Sequence, residues 1–131
     1  MFPLDKPSFQ LLERSLYATN LRQNVIASNI ANADVPNYKR SDIRFEELLQ
    51  QSQTTLRGRR THPRHLEIGP PDPVMPQVTV DQTTAMNNNG NNVDIDYEMA
   101  LMAKNQLRYN TMIQLVNYEL KHLRTAIDSR R

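Results

Sequence analysis

Few residues of this chain are spaced for covalent or metal chemistry. His62 and His65 stand three apart, which would suit a metal pair on a helix, but they flank Pro63 with neither Cys nor a carboxylate cluster nearby. They read as solvated loop histidines, with no metal site. Arg57, Arg59, Arg60 and Arg64 surround Gly58. Such a run can contact phosphates, yet no Phe, Tyr or Trp interleaves with it for base stacking, so a solvated or acid-facing loop is the better reading than a nucleic-acid site. The acidic pairs Asp94 with Asp96 and Glu46 with Glu47 suggest acid-base work only superficially. Residues that close on a helix point in different directions, and helix capping and surface charge explain them. With three Gly and no Cys, neither a phosphate loop, a nucleophile elbow nor a thiol site can be assembled. The sequence is expected to encode no enzyme and to require no cofactor.

What remains to be explained is the set of elements. The 131 residues suit one domain, but only 38% are hydrophobic and the mean hydropathy is negative, so the core is thin. A net charge of +2 does not mark a nucleic-acid binder. Without Cys the chain is indifferent to redox compartment, which permits export without oxidative folding. Met1 to Leu16 include Asp5, Lys6, Glu13 and Arg14 with no continuous apolar run, so neither a secretory signal nor direct membrane insertion is expected.

The strongest pattern lies in the last third. Ile95, Met99, Met102, Gln106, Tyr109, Ile113, Val116, Leu120, Leu123 and Ile127 keep alternating three- and four-residue spacing, the narrow stripe of a coiled-coil seam. A helix over this stretch is roughly 50 Å long, more than a compact domain of this size needs. Asp94 sits where an N-cap belongs, Asp96 and Glu98 fall in the first turn, and Lys121, His122 and Arg124 lie near the far end, complementing the helix dipole. Ala103, Leu107, Met112 and Leu115 add a weaker second stripe, which favours packing between copies. At the other end, Leu11, Leu12, Leu16, Ala18, Leu21, Val25, Ile26 and Ile30 recur at helix spacing after Pro7 and Ser8, with Asp5 a candidate cap. This helix runs to about Asn32, where Asp34 to Asn37 and Pro36 enforce a bend.

Between these ends the periodicity fades. A short helix is predicted over Asp42 to Gln51 on Phe45, Leu48 and Leu49, and a strand over Gln77 to Val80, with a small hairpin or edge contact at most. Gln51 to Asn92 otherwise holds clustered Pro and an Asn-rich close, a composition that cannot offset chain entropy by burial. The expected fold is mainly α, two long terminal helices packed as a coiled-coil hairpin around an irregular middle. The divisions are 1–33, 34–92 and 93–131. The seam from Met99 to Ile127 is expected to pack on Leu12 to Ile30 within one subunit, and Gln106 to fix register within it.

One stretch exceeds coiled-coil logic. Arg22, Gln23, Asn24, Val25, Ile26, Ala27, Ser28, Asn29, Ile30, Ala31 and Asn32, followed by Pro36 and Tyr38, resemble the signature of the bacterial flagellar axial family of rod, hook and hook-associated proteins. Val35 and Asn37 depart from the Thr and Gly usual there, and Asn tolerates the positive φ such a turn needs. Gly90 to Met99 and Asn105 to Tyr109 resemble the proximal rod members, one of two sister types. Large β-rich insertions found in hook and distal-rod relatives have no room between Gln51 and Asn92.

The resemblance implies a structural subunit of the basal-body rod, on the periplasmic side of the inner membrane, exported by the flagellar type III apparatus and transmitting torque. Implied partners are copies of itself in a helical array, other rod proteins, the adaptor joining rod to MS ring, and the type III export gate. The surfaces expected to carry assembly are Leu12, Leu16, Leu21, Val25, Ile26, Asn29, Ile30, Asn32, Pro36 and Tyr38, together with the seam from Met99 to Ile127. A basic-loop nucleic-acid adaptor is the competing reading from another class.

Overall fold

The computed structural model describes residues 7–54, 74–84, 86 and 88–128. Along the chain these form helix α1 (Pro7–Ala31), strand β1 (Ser41–Arg44), helix α2 (Glu46–Thr54), strand β2 (Gln77–Val80) and helix α3 (Ile95–Asp128). The loop histidines and the Arg57 to Arg64 run fall outside the described residues, as does Asp5.

Pro7 opens α1, a position where its missing N–H costs nothing, and the helix ends at Ala31, one residue short of the expected limit. Asp94 caps α3 as predicted: its Oδ1 accepts from the Asp96 and Tyr97 backbone N–H groups at 3.0 and 3.2 Å. The short middle helix starts later than the sequence suggested. Ser41 to Arg44 form a strand instead, with Ile43 buried and its neighbours facing out, and the helix begins at Glu46 with Glu46 and Glu47 in the first turn. The reason is pairing: β1 runs antiparallel to β2 with Ser41 opposite Val80 and Ile43 opposite Val78. The strand over Gln77 to Val80 is therefore present, but its partner lies on the far side of α2 in sequence, a long-range contact that local patterning cannot reveal.

The core is thin. Ala18, Ile43 and Phe45 form its buried centre, and Leu21, Val25 and Val74 pack around them. Ile26, Ala33 and Val93 are buried beside the turn that leaves α1.

Helices α1 and α3 pack antiparallel. Asn105 Nδ2 donates to Thr19 O and Gln23 Oε1, both at 2.9 Å, and Asn29 Nδ2 donates to Glu98 Oε2 at 3.2 Å. Continuing these pairings at equal rise brings Pro7 level with about residue 120 of α3, so α3 runs on past the described start of α1.

The face that α3 buries is not the predicted seam. Glu98 and Asn105 are its fully buried residues, while Met99, Gln106, Tyr109, Leu120 and Ile127 are exposed, as is Ile95. Of the seam only Met102, Ile113, Val116 and Leu123 are half-buried. The expectation that the whole stripe packs on Leu12 to Ile30 within one chain therefore fails. Two causes combine. A straight helix drifts about 20° per heptad against a 3.5-residue repeat, and the buried positions nearest the turn are polar residues with partners on α1, which a search for apolar periodicity passes over.

Candidate assembly site

The turn leaving α1 is held by side chains, not by apolar packing. Asn91, fully buried, points its amide into the bend: Nδ2 donates to the carbonyls of Asn32, Ala33 and Val35 at 3.1, 2.8 and 2.8 Å, while Oδ1 accepts from Val93 N at 2.7 Å. One side chain thus bonds three carbonyls around the end of the helix, two of which, those of Asn32 and Val35, also accept from the backbone N–H groups of Val35 and Tyr38. Asn37 adopts φ of 59° and its N–H donates to Asn89 O at 3.0 Å, so the turn survives without Gly at that position. Gly90 has φ of 78°, and a Cβ there would stand 2.7 Å from Asn37 Oδ1. The left-handed backbone favours Gly, and a Cβ would in addition make the exposed Asn37 side chain swing aside.

Asn29 performs the same service one turn earlier. It is fully buried, its Nδ2 donates to Ser41 O at 2.8 Å, and its Oδ1 accepts from Ser41 N at 3.0 Å and from Tyr38 Oη at 3.3 Å. This two-way bond to Ser41 pins the start of β1 against α1. Asn92 completes the clamp, accepting from Arg40 N at 2.6 Å and donating to Asp81 O at 3.0 Å and Thr84 Oγ1 at 2.9 Å. Lys39 Nζ donates to the carbonyls of Thr84 and Gly90 at 2.8 and 2.9 Å.

Beneath the clamp sits an ion pair. Arg40 Nε donates to Glu98 Oε1, with the carboxylate fully buried, and the guanidinium also reaches Asp42 and lies 5.4 Å from the centre of the Tyr97 ring. Burial pulls the Arg40 pKa down, but the hydrogen bond and charge of Glu98, with Asp42, outweigh it and raise the pKa above its ordinary value. Glu98 is doubly bonded, to Arg40 and Asn29, as a buried carboxylate must be.

A second ionic cluster ties three helices. Arg22 on α1 donates to Glu46 of α2 through both terminal guanidinium nitrogens, and Arg108 of α3 donates to Glu46 Oε1 at 2.6 Å. Burial pushes the Glu46 carboxyl upward, and the Arg22 hydrogen bond, its own backbone and the two cationic charges more than reverse this, leaving the pKa below its usual value. Asp81 is held down to about 2 by hydrogen bonds from Thr84 and Thr83.

The predicted assembly residues divide accordingly. Ile26 and Asn29 are buried within the chain, Leu12, Leu16, Leu21, Val25, Ile30, Asn32 and Tyr38 are half-buried, and Pro36 is exposed. Asn29, Asn32 and Tyr38 do converge on one turn, and they converge with residues not named as assembly residues: Lys39, Arg40, Asn91, Asn92 and Glu98. The paired Asn91 and Asn92 before a capped helix were the available signal, hidden in a run that reads as loop composition. On α3, large apolar side chains stand in solvent, with Leu107 and Ile127 each 69% exposed and Tyr118 61%. Among the described residues no group of His, Cys, Asp and Glu is arranged to hold a metal, and no helix is long and apolar enough to cross a membrane.

A clamped turn joining two helices, one of them oversized and bare along an apolar flank, is a part made to fit other parts. Comparison with known proteins agrees. A family model described as flagella basal body rod protein matches residues 10–39, the second half of which leads into the clamped turn. The chain is 35% identical over 120 residues to the flagellar basal body rod protein FlgB of Bacillus subtilis, covering 92% of each. It is 36% identical over 129 residues to FlgB of Borreliella burgdorferi, covering 92% of this chain and 95% of the relative. FlgB of Cereibacter sphaeroides is 34% identical over 123 residues, covering 87% of this chain and 88% of that one. With likeness at this level running through both terminal helices and the turn between them, the chain belongs to the FlgB family of flagellar basal body rod proteins.

Proposed function

We propose that this chain is a structural subunit of the proximal part of the flagellar basal-body rod, the shaft that carries torque across the periplasm, and that its terminal helices build the shaft by packing against other subunits. The observation that carries the reading is the exposed apolar flank of α3, where Leu107, Leu115 and Tyr118 lie open in the single chain. A helix this long supplies surface for several neighbours at once, and shared load over many shallow contacts suits a shaft better than one strong point.

Partners follow from that role: further copies of the chain in a helical array, other rod proteins, the adaptor between rod and MS ring, and the type III export gate through which the chain passes. A thin core suits export, since little burial must be undone before threading. The proximal assignment is supported by the named FlgB relatives and by the short segment between α2 and β2.

The test replaces Leu107, Leu115 and Tyr118 together by Ser in the producing bacterium. The variant is expected to keep the helix content of the purified chain and to leave cells without complete rods in micrographs of isolated basal bodies. Normal rods and swimming would refute the role of the α3 flank.

A further inference from the structure

Two surface features share no residue and carry opposite charge. The first is a cleft of about 200 Å³ between α1, β1 and α3, with Ile26, Ile43 and Leu101 as its apolar lining; of its cations Arg22 and Arg108 are held by Glu46, which leaves Lys104 to meet a partner's charge, and its one lining carboxylate, Asp42, is engaged by Arg40. Asn105 also lines it. That residue is 2% exposed, and its Oδ1 has no hydrogen-bond partner among the described residues. A buried acceptor in this state is completed by an incoming donor such as a main-chain N–H.

The second feature is the tip of the hairpin. There Asp34, Asp94 and Asp96 surround apolar Ile95 and Met86, both of which are exposed. It reverses the cleft: an apolar centre with an acidic rim.

We infer that the acidic tip of one copy docks in this cleft of the next, with Asp34 meeting Lys104 and Ile95 covering the apolar lining. Charge complementarity selects the register, and the apolar centres supply the area that loses water. Because donor and acceptor surfaces are different patches of one molecule, the contact is heterologous and propagates as an open array instead of closing in a two-fold dimer. The inference rests on the rod-subunit reading and names the surface through which copies join.

The absence of native Cys allows a direct test. Chains carrying Asp34→Cys and chains carrying Lys104→Cys are produced together in the bacterium, and isolated basal bodies are treated with a short bis-maleimide. Cross-linked dimers are expected only when both variants share a particle, and a ladder of higher species is expected when one chain carries both cysteines. Dimers from either variant alone, or no cross-link in assembled rods, would overturn the pairing. Charge reversal gives an independent reading. Lys104→Glu is expected to reduce the yield of assembled rods about tenfold, with recovery when Asp34→Lys is added to the same chain; normal assembly with Lys104→Glu alone, or no recovery, also counts against the pairing. Basal bodies lacking the wild-type chain altogether would refute the rod reading itself, whereas basal bodies that contain it without the cross-link refute only this interface.

Discussion

Asn91 carries more of the structure than any single apolar residue of the turn. Three carbonyls accept from its amide, that of buried Ala33 among them, and its own oxygen takes the buried N–H of Val93. Asn91→Ala is expected to destabilise the chain by about 1–3 kcal/mol, since the Ala33 carbonyl and the Val93 N–H lose these bonds at once; urea unfolding followed by circular dichroism measures this. Gly90→Ala at φ of 78° combines left-handed strain with the clash against Asn37 Oδ1. A loss of about 1–2 kcal/mol is expected, and Asn37→Gly in the same chain recovers part of it by removing the opposing side chain. At Glu98 the charge is buried and its partner Arg40 lies near the surface. Arg40→Met therefore strands a carboxylate and costs about 3–5 kcal/mol, while adding Glu98→Gln returns part of that loss. These residues were only partly legible in the sequence. Asn29, Asn32 and Tyr38 stood out by motif, but Asn91, Asn92 and Glu98 act across tens of residues, and nothing in local spacing shows which backbone an Asn will serve.

Helices α1, α2 and α3 meet at Glu46, and acid tests that junction. Its folded pKa lies below the usual 4.5, so the carboxylate stabilises the fold above that value and the contribution is lost as pH falls through the lowered pKa. Asp81, held at about 2 against 3.8, acts in the same direction in the window between those values. The urea midpoint should stay level from neutrality to about pH 5 and then decline; Glu46→Gln should flatten the upper part of the decline and Asp81→Asn the lower part. Both terminal helices and the cap at Asp94 were legible because periodicity, Pro7 and Asp94 all agree. Strand β1 was not, because Ile43 and Phe45 fit a short helix equally well until β2 is present to pair with them. The seam on α3 was legible as a pattern and misleading as a contact map within one chain. Its members Ile95, Met99, Gln106, Tyr109, Leu120 and Ile127 are the ones that stay open.

At the scale of the whole molecule, that openness is the informative result. A fold whose buried centre is Ala18, Ile43 and Phe45 holds together by a clamped turn and ion pairs, and it leaves an oversized helix bare. The sequence repeat that failed to describe the inside of one subunit fits a surface shaped for neighbours. Cysteine accessibility tests this directly, because the chain has no background thiol. Leu107→Cys and Tyr118→Cys chains are labelled with a maleimide dye, first as purified protein and then in isolated basal bodies. Rapid labelling in the free chain and strong protection in the basal body is the predicted result; equally rapid labelling in both would show that α3 faces water in the finished rod and would contradict an assembly role for its exposed flank.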